Sequence, residues 1–319
     1  SLGGLPGANE NVHAIVADAA GNIYVGGSFT MIGTAAAKYV AVWNGTVWSA
    51  LGTGMDGSVN ALAMIGADLY AGGGFTTPGG AAAYNIARWD GSAWSPLGPG
   101  LNGPAHELAV RGSELYVGGG FTTAGGVTVN HVARWDGAAW SGLGTGMNGS
   151  VFALAMDGTD LYAGGWFTTA GGVTVNHVAM WDGSGWSALG SGMNDTVSTV
   201  ALMDNDLYAG GYFTTAGGVT VNRVARWDGS TWSALGTGMS GNPATYNYAV
   251  NAFAVDGTDL YAAGWFGTAG GVAAYNIARW NGIRWYALRS EVDDVVPGYD
   301  DVSALAVVGG ELYAGGWFR

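Results

Sequence analysis

Apolar residues along this chain fall in short runs closed off by glycine-rich turns, and nowhere do they keep a helical spacing long enough to predict a helix. The runs come in sets of four. Strand A is predicted over stretches such as Val59-Asn60-Ala61-Leu62-Ala63-Met64, and a Gly-x-Asp or Gly-Thr-Asp turn leads from it into strand B, Leu-Tyr-Ala-Gly-Gly-x-Phe. A longer glycine-rich connection, Thr168 to Val175 in the fourth set, precedes strand C around His177-Val178-Ala179-Met180-Trp181. Asp182-Gly183, a strong short hairpin signal, then turns the chain into strand D, Trp186 to Leu189.

The sets repeat. Gly-Gly-x-Phe starts at Gly26, Gly72, Gly118, Gly164 and Gly210, 46 residues apart, and its equivalents follow at Ala263 and Gly315 after longer intervals. Trp-Asp/Asn-Gly keeps the same register at Trp43, Trp89, Trp135, Trp181, Trp227 and Trp280, each followed by a second tryptophan at Trp48, Trp94, Trp140, Trp186, Trp232 and Trp285. Four short antiparallel strands cannot bury both faces alone, so a repeat of this period predicts an all-β propeller of four-stranded blades. One domain spanning 1–319 is expected, with blades near 12–52, 58–98, 104–144, 150–190, 196–236 and 249–288, and a seventh from 302–319 plus 1–4. That seventh blade combines strands A and B from the C-terminus with a strand D from Ser1-Leu2-Gly3-Gly4, and lacks strand C. Either the natural chain continues, upstream of Ser1 in particular, or a strand from elsewhere fills the gap, since an unpaired edge invites association.

Composition narrows the class. Sixty glycines alone would suggest low complexity, but 49% hydrophobic residues and 15 tryptophans supply a core. A net charge of −13 repels a phosphate backbone, so nucleic acid is not an expected partner. With no cysteine there are no disulfides and no thiolate ligands or nucleophiles. No run of 18 apolar residues predicts a membrane span.

Leu69-Tyr70-Ala71-Gly72-Gly73, followed by Ala87-Arg88-Trp89-Asp90-Gly91 and Trp94-Ser95-Pro96-Leu97, resembles a kelch-type repeat, and the resemblance covers all seven units. Tryptophan where kelch repeats more often have tyrosine, and the Thr-Thr-x-Gly-Gly loop, make it more similar to the kelch-like and galactose-oxidase-central-domain-like repeats of large secreted bacterial proteins. The resemblance implies a propeller with strand A innermost, and no single activity. The copper-radical oxidases of that superfamily use a cysteine-crosslinked tyrosine, which a chain without cysteine cannot carry over.

Catalytic signals are weak. Gly52 to Gly57, Gly98 to Gly103 and Gly144 to Gly149 satisfy a dinucleotide-binding expression but lie between strands, where no helix follows to hold a pyrophosphate. His13 and His106 fall on strand A and His131 and His177 on strand C, at positions where other units hold unrelated residues, so no metal or other cofactor is expected. The acids before Leu-Tyr (Asp68, Glu114, Asp160, Asp206, Asp259, Glu311) and after Trp (Asp90, Asp136, Asp182, Asp228) read as turn residues. Asn44, Asn148 and Asn194 open glycosylation sequons, relevant only in a host that modifies them.

One repeat position carries a candidate. Between Gly-Gly and Phe stand Ser28, Gly74 and Gly120 in the first three units, then Trp166, Tyr212, Trp265 and Trp317. Strand B runs toward the end of the blade that carries the B–C and D–A loops, including insertions around Gly241 to Tyr248 and Arg289 to Asp301. Exposed, the four aromatics would bind a glycan or an extracellular protein partner; buried, they would fill space between blades. Arg223 and the acids Glu291, Asp293, Asp294, Asp300 and Asp301 would rim the site, the acids as a loop for a cation or a partner. The expectation is a non-catalytic, extracellular or cell-surface binding and adhesion module within a larger chain. The alternative is a structural subunit of an extracellular polymer or surface layer, assembled through propeller contacts or strand donation, with self-association through the incomplete blade, and an enzyme is the minor one.

Overall fold

A computed structural model gives the structure of residues 7–80, 82–241, 249–288 and 301–317. The chain forms two compact units, Ser1–Gly146 and Met147–Arg319. The first contains three four-stranded antiparallel blades in sequence order A-B-C-D, and the second contains three more followed by a two-stranded sheet, Asp301–Val308 with Glu311–Trp317. Blade 4 shows the pattern: strand A is Val151–Asp157, B is Asp160–Gly165, C is Val178–Trp181 and D is Trp186–Ala188. No α-helix occurs among the described residues.

Three local expectations change. The B–C connection is not a plain loop: in blade 4 Thr169–Ala170 pairs with Val173–Thr174 in a small ribbon. Gly171 and Gly172 turn it, both at positive φ (57° and 84°), as a two-residue hairpin of that hand requires. In blade 2 Pro78, which has no N–H, stands where this ribbon would form, and a 3-10 turn over Pro78–Gly80 replaces it. The C–D turn is not a two-residue Asp-Gly hairpin either. Trp181 pairs with Trp186, so four residues make the loop, and the Asp182 carboxylate closes it by accepting from the N–H of Ser184 and of Gly185. Finally, His131 and His177 precede strand C rather than belonging to it.

The two strand-B glycines do separate jobs. A Cβ on Gly164 would lie 2.5 Å from Val197 Cγ1 of the next blade, and one on Gly72 would lie 2.8 Å from Ala105 Cβ, so the first glycine lets sheets pack closely. A Cβ on Gly165 would meet the Ser150 carbonyl oxygen at 2.2 Å, so the second admits a bulge in the blade's own strand A, where the register shifts between Val151 and Ala153. The phenylalanine after the pair, Phe167 in blade 4, is wholly buried.

Tryptophan pairs make the outer part of each blade. Trp227 and Trp232 stack at 5.3 Å with a 47° tilt, and the other pairs repeat this within a few degrees. The second ring is buried, and in blades 2, 3 and 5 its indole N–H donates to a leucine carbonyl of the preceding blade: Trp94 to Leu51 (3.0 Å), Trp140 to Leu97 (2.9 Å), Trp232 to Leu189 (2.8 Å). A buried indole N–H needs such a partner.

Candidate functional site

Strands A and C start, and strands B and D finish, at one end of every blade, so the D–A loops and the B–C ribbons share that end. Side chains of the D–A loop fasten the ribbon there. Asn148 Oδ1 accepts from the N–H of Thr168 (2.9 Å) and of Thr169 (3.0 Å), and its amide donates to Thr168 Oγ1. Asn194 and Asn102 repeat the arrangement, and Asp56 does so on Thr76 and Thr77. Burial raises the Asp56 carboxyl, but the Thr76 and Thr77 hydrogen bonds more than offset this and hold it well below the ordinary range. Of the three sequon asparagines, Asn148 and Asn194 are thus engaged through their amides, whereas Asn44 sits exposed in a C–D turn.

On this framework the aromatic position projects. Trp166 and Tyr212 directly follow strand B, their N–H groups donating to the carbonyls of Ser150 and Thr196 (both 2.9 Å). Trp265 and Trp317 are the last residues of their strands B, paired with Ala249 and Asp301. All four belong to the second unit, and all four are exposed: Trp166 by 66%, Tyr212 by 37%, Trp265 by 39% and Trp317 by 36%. The other twelve tryptophans make up the six stacked pairs. Filling space between sheets is therefore not what these rings do.

Arg223 lies against the row, its guanidinium donating to the Tyr212 carbonyl. Its backbone takes a left-handed conformation (φ 72°) shared by Tyr39, Asn85, His131, His177 and Asn276 in the other blades. In each, the N–H donates to the phenylalanine carbonyl and the C=O accepts from the second strand-B glycine or its equivalent, as for Arg223 with Phe213 and Gly211. The backbone carries this link in every one of these blades, so the side chain can differ from blade to blade. Asp301 is not part of a loop: it opens strand A of the last sheet, where its carboxylate accepts from the Asn251 amide and the Ser303 hydroxyl (both 3.1 Å). Glu291, Asp293, Asp294 and Asp300 lie outside the described residues, as do Asn242 to Tyr248 and the proposed closing strand at Ser1 to Gly4.

Sequence reading missed the residue beside each ring. The strand-A bulge places Phe152, Ser198, Asn251 and Ser303 next to the end of strand B in the second unit, and His13, Asn60 and His106 in the first. In blade 1, where the aromatic is replaced by Ser28, that serine hydroxyl lies 2.9 Å from His13 Nε2 and 3.2 Å from Ser58 Oγ. The only signal in the sequence is that this strand-A position varies from unit to unit where its neighbours repeat. Among the described residues no group of three His, Asp or Glu has metal-holding geometry.

Comparison with known proteins bears on the fold. A family model described as a domain of unknown function (DUF5122) beta-propeller matches residues 204–227, from the A–B turn to the end of strand C in blade 5. No curated protein matches the chain. Among solved structures it is similar to the extracellular domain of a hybrid two component system from B. thetaiotaomicron (TM-score 0.65, 12% identity, 98% of this chain). The chain spans 38% of that protein. It is also similar to the WD40 beta propeller domain of Doa1 (TM-score 0.59, 14% identity, 98% of this chain and 92% of that one). A third likeness is to YCF48 bound to D1 peptide (TM-score 0.59, 13% identity, 98% and 91%). At such identities the likeness is one of fold, and the fold is a β-propeller.

Proposed function

We propose that the chain is a non-catalytic binding module, one propeller domain of kelch-like descent in an extracellular or cell-surface protein, whose aromatic row receives a carbohydrate. The observation that carries this reading is the exposure of Trp166, Tyr212, Trp265 and Trp317 at one repeat position, in a chain whose remaining tryptophans are engaged in pairs. Large exposed apolar surface is costly to keep unless it is used. Indole and phenol rings offer flat faces for sugar rings and supply stacking rather than proton transfer. Arg223 and the strand-A residues Ser198, Asn251 and Ser303 add donors and acceptors at the same end of the blades. The extracellular placement is supported by the B. thetaiotaomicron domain of the same fold. A protein partner is the second reading, favoured by the peptide bound to the similarly folded YCF48.

A glycan array probed with wild type and Trp265→Ala tests it. The expected result is binding that the substitution weakens by about 1–3 kcal/mol, the scale of one good aromatic contact, with an unchanged melting temperature. A variant that binds as wild type does, or a blank array together with no binding to any polysaccharide, overturns the carbohydrate reading.

A further inference from the structure

The row has a period. Trp166, Tyr212, Trp265 and Trp317 stand at the same point of four consecutive sheets, and those sheets pack face to face: Gly164 against Val197 and Val200, Gly210 against Val250 and Phe253, and Ala263 in one core with Val302 and Leu305. Face-packed sheets repeat at about 10 Å, and glycine at the contact brings them no farther apart than that. Equivalent points on neighbouring blades are thus separated by roughly the length of one disaccharide unit in an extended glycan. Among the described residues of the D–A loops and B–C connections of the second unit, the charged side chains are Asp195 and Arg223, and Asp301 opens the last strand A. The D–A insertion outside the described residues adds Arg289 and the acids Glu291, Asp293, Asp294 and Asp300 to the sequence. Asp301 is engaged by Asn251 and Ser303, and Arg223 by the Tyr212 carbonyl. A chain of net charge −13 gives a polyanion no welcome, and the strand-A bulges put hydroxyls and an amide (Ser198, Ser303, Asn251) beside the ends of the strands B.

Resting on the carbohydrate reading above, we propose that the row binds a neutral, unbranched polysaccharide laid across consecutive blades, one ring to each pair of sugars, rather than a single sugar or a chain terminus. Each ring is then one subsite of a multivalent surface. Occupying the first raises the effective concentration of the polymer at the second, so affinity grows with ligand length without new kinds of contact.

The test is affinity electrophoresis in gels containing hydroxyethyl cellulose, laminarin, glucomannan or amylose. Calorimetry follows, with oligomers of two to eight sugars from whichever polymer retards the protein. Expected are retardation by at least one polymer, affinity that climbs with oligomer length, and a loss of roughly tenfold for the longest oligomer in Trp166→Ala or Trp265→Ala. The same substitutions should flatten the length dependence while leaving disaccharide affinity nearly unchanged. Disaccharide and octasaccharide binding equally well, or a glycan array showing recognition of a terminal sugar alone, overturns the polymer proposal and leaves the carbohydrate site standing. No retardation by any polymer together with a blank array removes both.

Discussion

Glu107 departs from the repeat more sharply than any other strand-A residue, since alanine or threonine fills the matching place in the other blades. Its carboxyl accepts the Leu108 N–H at 3.0 Å, yet burial pushes it up to about 7. Between the ordinary carboxyl value and 7 the folded chain therefore holds a proton that the unfolded chain has released. Stability from this group is complete in acid and is lost as pH rises through that window. Glu107→Gln should match wild type near pH 4 and exceed it by on the order of 2 kcal/mol at pH 8, read from melting temperatures across the range. Residue-scale chemistry was only partly legible in advance. Trp166, Tyr212, Trp265 and Trp317 stood out because three small residues precede them at the same position in register. Their exposure did not, because period alone cannot tell a ring lying over a sheet from one between two sheets. Asp301 was misplaced for a related reason: a run of acids reads as loop, while its pairing with Trp317 depends on a register that only the folded hairpin defines.

Elements were the most readable level, and their errors share a cause. Strands A to D followed from apolar runs and turn residues, but the Thr-Ala/Val-Thr ribbons are two residues a side, too short for any periodicity to register. The four-residue C–D loop was hidden because Asp-Gly serves two turn types, and only side-chain hydrogen bonds such as those to Asp182 distinguish them. The glycine pair makes the clearest prediction at this scale. Gly164→Ala must move Val197 by more than a few tenths of an ångström, so it should cost roughly 1–3 kcal/mol in chemical denaturation, and Gly164→Val more. Gly158 provides the control, since its turn has open space around it and a substitution there meets only the strain of positive φ (56°), about 1–2 kcal/mol.

For the molecule as a whole, a surplus of 23 acids over 10 bases governs behaviour in solution. Self-repulsion keeps copies apart at neutral pH and vanishes near the sequence pI of 4.3, so light scattering against pH should show association peaking there. Exposed rings in a row would then find one another, and Trp166→Ala/Trp265→Ala should blunt the peak. The propeller class could be read from the 46-residue period, since a blade that cannot bury both faces must stack. The indole-to-carbonyl staple carries a consequence for how such a chain arises. It joins residues 43 apart in blades 2, 3 and 5, less than one repeat, and in blade 6 it joins Trp285 to Leu235 across 50 residues with the same 2.9 Å geometry. Each of these staples therefore reaches back no further than the preceding blade. A recombination slip that copies one unit into the gene delivers a blade with its fastenings already in place, and a few inserted codons in a D–A loop leave them undisturbed. The near identity of blades 3, 4 and 5 is what such copying would leave.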